Sequence, residues 1–114
     1  MPGLQWAIFE ADLDPVAGVE QKGKRPVIIV SNEEFNQAMP NVTVLPLTST
    51  QRRLYPSEIL LPEEKAGQLL ESIVMAHQIG TISKQRLRRL FGYLDDAQLR
   101  HEIHQAIKEH LDME

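Results

Sequence analysis

Two short polar segments stand at the ends of apolar runs, and their side chains suit work on a phosphate. Gly23-Lys24-Arg25 precedes Pro26-Val27-Ile28-Ile29-Val30-Ser31, and Thr48-Ser49-Thr50 follows Val42-Thr43-Val44-Leu45-Pro46-Leu47. An arginine is a planar, permanently charged fork of N–H donors that matches phosphate oxygens. Hydroxyl groups beside it can hydrogen-bond the same oxygens. If the two apolar runs are neighbouring antiparallel strands, the start of one lies beside the end of the other, and Arg25 faces Thr48. A plainer arrangement uses the same residues: an arginine at a strand start pairs with a surface carboxylate, and Thr-Ser-Thr closes a turn. Spacing alone leaves both open.

The wider charge pattern bears on the choice. The net charge is −4, which argues against a general nucleic-acid coat. The basic residues are nonetheless gathered, as Lys22, Lys24 and Arg25, as Arg52 and Arg53, and as Lys84, Arg86, Arg88 and Arg89. Acids concentrate elsewhere, at Glu33 and Glu34, at Glu63 and Glu64, and from Asp95 onward. A locally positive groove on an acidic protein still attracts phosphates, and equally such clusters keep a surface hydrated.

Other reactive residue types carry less. His77 follows an apolar run, and an imidazole can serve as a general base, a role closed to arginine; filling space or bonding a carbonyl on the strand is the other reading. His101 and His104 have metal-ligand spacing on a helix but no third ligand, and they read as exposed. Asp12, Asp14 and Glu20 read as turn residues rather than a metal cluster. Trp6 and Phe9 suit the core or a dimer surface, and Phe35 and Met39 the core. Tyr55 and Phe91 either stack a base or are buried. The chain has no cysteine, which excludes disulfides and thiolate zinc sites. No metal and no cofactor are expected.

The elements that must position these groups are short. A chain of 114 residues has room for one modest core, so residues 1–114 are expected to be a single domain. Strands are predicted over residues 6–13, 26–31, 41–47, 54–61, 72–79 and 88–94, with a loop over 16–24. Pro46 suggests an edge or a bulge. Ser31 or Asn32 caps a short helix ending at Met39, and Ser83 caps a single turn. Asp95 or Asp96 caps a C-terminal helix bearing Leu99, Ile103, Ala106, Ile107 and Leu111 on one face. Short strands with one packed helix indicate a mainly β fold, a small barrel or strongly bent sheet. Nothing approaches the roughly 20 apolar residues of a membrane span, and no signal peptide opens the chain, so a cytoplasmic location is expected.

Read in order, the motifs resemble the MazF/PemK family of toxin endoribonucleases. The likeness rests on Asp12-Leu13-Asp14-Pro15, Gly18-Val19-Glu20-Gln21 and Gly23-Lys24-Arg25-Pro26-Val27-Ile28-Ile29-Val30-Ser31-Asn32. To these are added Pro46-Leu47-Thr48-Ser49, Tyr55-Pro56, Gln78-Ile79, and Thr81-Ile82-Ser83-Lys84-Gln85-Arg86-Leu87. The set runs from about residue 8 to the end. The resemblance implies an SH3-like small barrel of the MazF/CcdB/PemK type with a C-terminal α-helix, acting as a homodimer. It implies a metal-independent cut of single-stranded RNA at short sequences, leaving a 2′,3′-cyclic phosphate and a 5′-hydroxyl. Carried over by motif, Arg25 and Thr48 form the active-site pair. Glu20, Gln21, Lys22 and Lys24 border the RNA groove, and Ser49, Thr50, Arg52, Arg53 and Gln78 are further RNA-binding candidates. The implied partner is an antitoxin whose tail fills the groove, and operator DNA is met only through that complex.

Three positions depart from the family pattern. His77 stands where the family has an acid, Gly80 where it has an arginine, and Trp6-Ala7 where it opens with Gly-Asp or Gly-Glu. Alternatives therefore stay open: a catalytically weak module that binds antitoxin or RNA, and a gyrase-poisoning toxin of the same fold.

Overall fold

The computed structural model describes residues 3–13, 23–67 and 70–114. Within them the chain forms β1 (Ala7–Leu13), β2 (Gly23–Ile29), α1 (Glu33–Ala38), β3 (Asn41–Thr48), β4 (Glu58–Leu61), β5 (Ser72–Met75), β6 (Gly80–Ser83), β7 (Leu87–Tyr93) and α2 (Ala97–His110). The strands make one antiparallel sheet in the order β4-β5-β3-β2-β1-β7, with β6 also on β3. The mainly β class with a C-terminal helix is therefore as the sequence pattern indicates. No helix among the described residues is long and apolar enough to cross a membrane.

The two ends of that strand order meet. The turn after β4 reaches β7, where a Cβ built on Gly92 would stand 2.5 Å from the Ala66 carbonyl oxygen, and one on Gly67 would stand 2.2 Å from that of Phe91. Gly67 also has a φ of +87°, a backbone conformation that favours glycine. Backbone lies on backbone here, which curls the sheet round on itself. Lys65 adds an ion pair to Asp96 just beyond β7, at 3.4 Å. Gly92→Ala is expected to force the two segments apart at a cost of about 1–3 kcal/mol, the usual range for overpacking. Equilibrium denaturation would measure this, and an unchanged midpoint would contradict the tight closure.

Both faces of the sheet are covered. Ile8, Ile28, Leu45, Leu47, Val74 and Leu94 pack with Ile103 and Ala106 of α2. On the other side Ala7, Ala11, Val27, Ile29, Val42 and Val44 form a second cluster. Consecutive residues of β2 and β3 are thus buried on opposite faces, which explains their near-continuous apolar runs. Asp96 caps α2 by accepting from the Leu99 N–H at 3.0 Å, and Asn32 caps α1 by accepting from Phe35 at 2.8 Å.

Several expected boundaries move. The strand expected over 54–61 begins only at Glu58, because Pro56 has no N–H to give and Ser57 turns with a φ of +64°. The strand expected over 72–79 stops at Met75, and Ala76–Gln78 form a 3₁₀ turn before β6. That turn makes β3 change partners, from Gly80 opposite Val44 to Val74 opposite Leu47. Pro46 sits in the gap, in an interior strand rather than at an edge, where a missing N–H interrupts no ladder. Met39 is exposed rather than in the core, because its backbone is already extended (φ −116°) and has left the α1 face; Phe35 is half-buried and Asn36 takes the buried place. Leu111 is likewise exposed, since α2 ends one residue before it. Of the loop expected over 16–24, residues 16–22 lie outside the described residues.

Candidate active site

The register of β2 and β3 decides where the two polar segments fall. Val27 pairs with Pro46, Ile28 with Leu45 and Ile29 with Val44. Continued by two residues, that register sets Arg25 opposite Thr48. Both line one cavity of about 330 Å³ at this end of the sheet, together with Lys24, Pro26, Leu47, Ser49, Leu70, Ser72 and Phe91. Part of the lining is apolar, through Pro26, Leu47, Leu70 and Phe91. Cations and hydroxyls supply the rest. Such a mixture suits a nucleotide, with a flat base and sugar on one side and a phosphate on the other.

The two central side chains differ in how they are held. Thr48 is buried, and its hydroxyl oxygen accepts the Thr50 N–H at 3.2 Å while donating to the Thr50 hydroxyl at 3.1 Å. This local turn fixes the oxygen, yet the hydroxyl proton can rotate to a ligand. Arg25 is half-buried and has no hydrogen-bond or ion-pair partner among the described residues. An unpaired guanidinium beside a cavity is placed to take an anion. Among the described residues no three His, Asp or Glu side chains gather as metal ligands.

A second constellation lies beyond Thr50. Glu58 has a fully buried carboxylate that accepts from Arg52 Nη1 and Nη2 at 2.8 and 2.9 Å, and from the Tyr55 N–H at 2.7 Å. His77 Nε2 is 2.7 Å from the same group. Burial pushes this carboxyl up, but the Arg52 fork, the His77 ring, the Tyr55 N–H and the Arg52 charge together outweigh it and hold it at about 2. Arg52 also covers the Tyr55 ring at 4.1 Å from its centroid. Tyr55 itself is exposed.

The structure thus separates the candidates. Arg25, Thr48, Lys24 and Ser49 come together at one cavity. Ser49, Thr50 and Arg52 line an adjoining one of about 300 Å³ with Gln51, Leu60, Glu71 and Ile73. His77 lines neither; its ring nitrogen is engaged by Glu58 on the 3₁₀ turn. Gln78, on the same turn, is half-buried and also lines neither, and Arg53 is exposed outside both. Glu20, Gln21 and Lys22 lie outside the described residues. The third basic cluster is largely occupied: Arg88 pairs with Asp12 at 3.2 Å, Arg86 donates to the Asp12 carbonyl, and Arg89 lies over Phe91. His104 packs on Trp6 with ring centroids 5.1 Å apart.

Sequence reasoning missed Glu58, Leu70 and Ser72. For Glu58 a signal existed, a lone acid opening the apolar run Ile59-Leu60-Leu61. Ser72 comes to the cavity because Ile73 pairs with Thr48, a long-range register no local pattern reveals.

Known proteins share much of this sequence and this fold. The profile of the family described as PemK-like, MazF-like toxin of type II toxin-antitoxin system matches residues 4–111. The chain is 34% identical over 111 residues to Endoribonuclease MazF9 of Mycobacterium tuberculosis, covering 93% of each. It is 36% identical over 90 residues to Endoribonuclease EndoA of Bacillus subtilis, covering 78% of each. A solved mycobacterial endoribonuclease, in complex with its cognate antitoxin, superposes with a TM-score of 0.79 at 26% identity, over 99% of this chain and 98% of that one.

Proposed function

The chain belongs to the PemK-like, MazF-like toxins of type II toxin–antitoxin systems, and from that premise we propose how it acts on RNA. Endoribonuclease is the activity its relatives are named for. The finer reading is a sequence-specific, metal-independent cut of single-stranded RNA. The ribose 2′-hydroxyl loses its proton to water as its oxygen attacks the adjacent phosphorus, the bond to the 5′-oxygen breaks, and a 2′,3′-cyclic phosphate and a 5′-hydroxyl result. Negative charge builds on the phosphate oxygens as the fifth bond forms, and preorganised donors stabilise it. Arg25 offsets that charge with its own and gives a proton to the departing 5′-oxygen, which it regains from water. Thr48 hydrogen-bonds the phosphate, with Ser49 and Lys24 beside it. His77, held by Glu58, supports the loop that carries Arg52 and Tyr55 rather than acting on the RNA. One observation carries the reading: Arg25, unpaired among the described residues, lines the same cavity as Thr48.

The partners go with it. A cognate antitoxin neutralises the toxin, as the solved relative's complex supports. A second copy of the chain completes a homodimer, operator DNA is met only through the antitoxin complex, and the cytoplasm, where mRNA lies, is the site of action. The test is incubation of the purified protein with mixed single-stranded RNA in chelator, followed by mapping of the ends. Cyclic phosphate and 5′-hydroxyl ends at a short recurring sequence are expected. Intact RNA would overturn the nuclease reading; tight binding without cuts would leave a binding module, and gyrase inhibition a toxin of another kind.

A further inference from the structure

Ser49 belongs to two cavities, and the second has no assigned role. It adjoins the Arg25–Thr48 cavity, has a comparable volume of about 300 Å³, and is walled by Leu60 and Ile73. Leu60 is 42% exposed, an apolar side chain left facing solvent at the mouth. The polar lining is Ser49, Thr50, Gln51, Arg52 and Glu71.

The charges decide what fits there. Arg52 is the one cation of the lining among the described residues, and both its Nη atoms are bonded to the buried Glu58 carboxylate. That carboxylate takes its end-on fork and offsets its charge, so little positive charge remains there for a phosphate. Among the described residues no cation pairs with the carboxylate of Glu71, so a second phosphate would be repelled. A nucleobase meets no such objection. It has flat apolar faces for Leu60 and Ile73, and a neutral edge with N–H donors that a carboxylate accepts and an amide complements.

We propose that this cavity is a base subsite for a nucleotide flanking the scissile phosphate, with Gln51 and Glu71 reading the edge of its base. The inference rests on the nuclease reading above and adds a source of sequence preference to it. Glu71 accepts from an exocyclic amino or ring N–H of the base, and the Gln51 amide supplies one donor and one acceptor alongside.

The test uses the protein and its Glu71→Gln and Gln51→Ala variants, both at exposed positions away from the core. Glu63→Gln, an exposed carboxylate on the turn after β4, is the control. Each protein is given a randomised single-stranded RNA pool for end mapping, and its relative affinities are measured for oligonucleotides that differ at one position. Both variants are expected to lose about ten-fold or more of the preference at one position beside the cut, leaving other positions and the Glu63→Gln profile unchanged. Wild-type preferences at every position in both variants would overturn the subsite, as would a change in antitoxin affinity with no change in base preference. If the parent protein cuts nothing, the nuclease reading fails on its own, and the oligonucleotide affinities still decide the subsite.

Discussion

Arg25→Ala is expected to lower kcat/KM for RNA cleavage by roughly 10²–10³, the range seen when one preorganised donor to a developing oxyanion is removed. The reason is the distribution of charge around the cavity. Lys24 is exposed and Arg52 is bound to Glu58, so neither can replace a half-buried guanidinium facing Thr48. The same geometry makes the experiment clean. Arg25 has no partner among the described residues, so its removal orphans no buried group and the melting temperature should hold within a few degrees. Arg25→Lys restores the charge without the fork, and partial recovery is expected. Cleavage that survives Arg25→Ala at full rate would remove the site assignment, whatever the family.

How much of this was readable in advance follows from the distance between the residues involved. β2 and β3 are joined through one short helix, and their apolar patterns are dense, so antiparallel pairing was one arrangement that local pattern offered; the register itself sets Arg25 opposite Thr48. Caps at Asn32, Ser83 and Asp96 follow from local reasoning, because each is a side-chain oxygen bonding an N–H two or three residues on. What escaped was structure built by distant partners. The 3₁₀ turn at Ala76–Gln78 ends the apolar run 73–76, and it forms where His77 meets Glu58, 19 residues away. The late start of β4 depends on a serine in the left-handed region, which composition gives no reason to expect. Gly92 within β7 was a signal of close backbone approach, but its partner across the barrel mouth was not. Arg52 illustrates the same limit at the site: a basic dipeptide in a polar run reads as RNA-facing until the carboxylate that binds its fork is known.

That carboxylate sets the second large effect. Glu58→Ala is expected to destabilise the fold by about 3–5 kcal/mol, the cost of breaking a buried pair from one side. The Arg52 fork, the Tyr55 N–H and the His77 ring would all lose the acceptor on which they converge. Glu58→Gln keeps an acceptor without the charge, so it should lose less. Acid stability gives an independent measure of the same node. The folded carboxyl is held at about 2, below its ordinary value of 4.5. The unfolded chain therefore takes up this proton first, and the contribution is complete above about 4.5 and is lost as pH falls from there toward 2. Its full size is roughly 3 kcal/mol. Denaturant titrations from pH 7 to 2 should show a steep acid limb in the parent protein and a shallower one in Glu58→Gln. Parallel limbs would mean that the fold does not lower the pKa of this carboxyl, and the charged clamp on the Arg52–Tyr55 loop would then add no net stability.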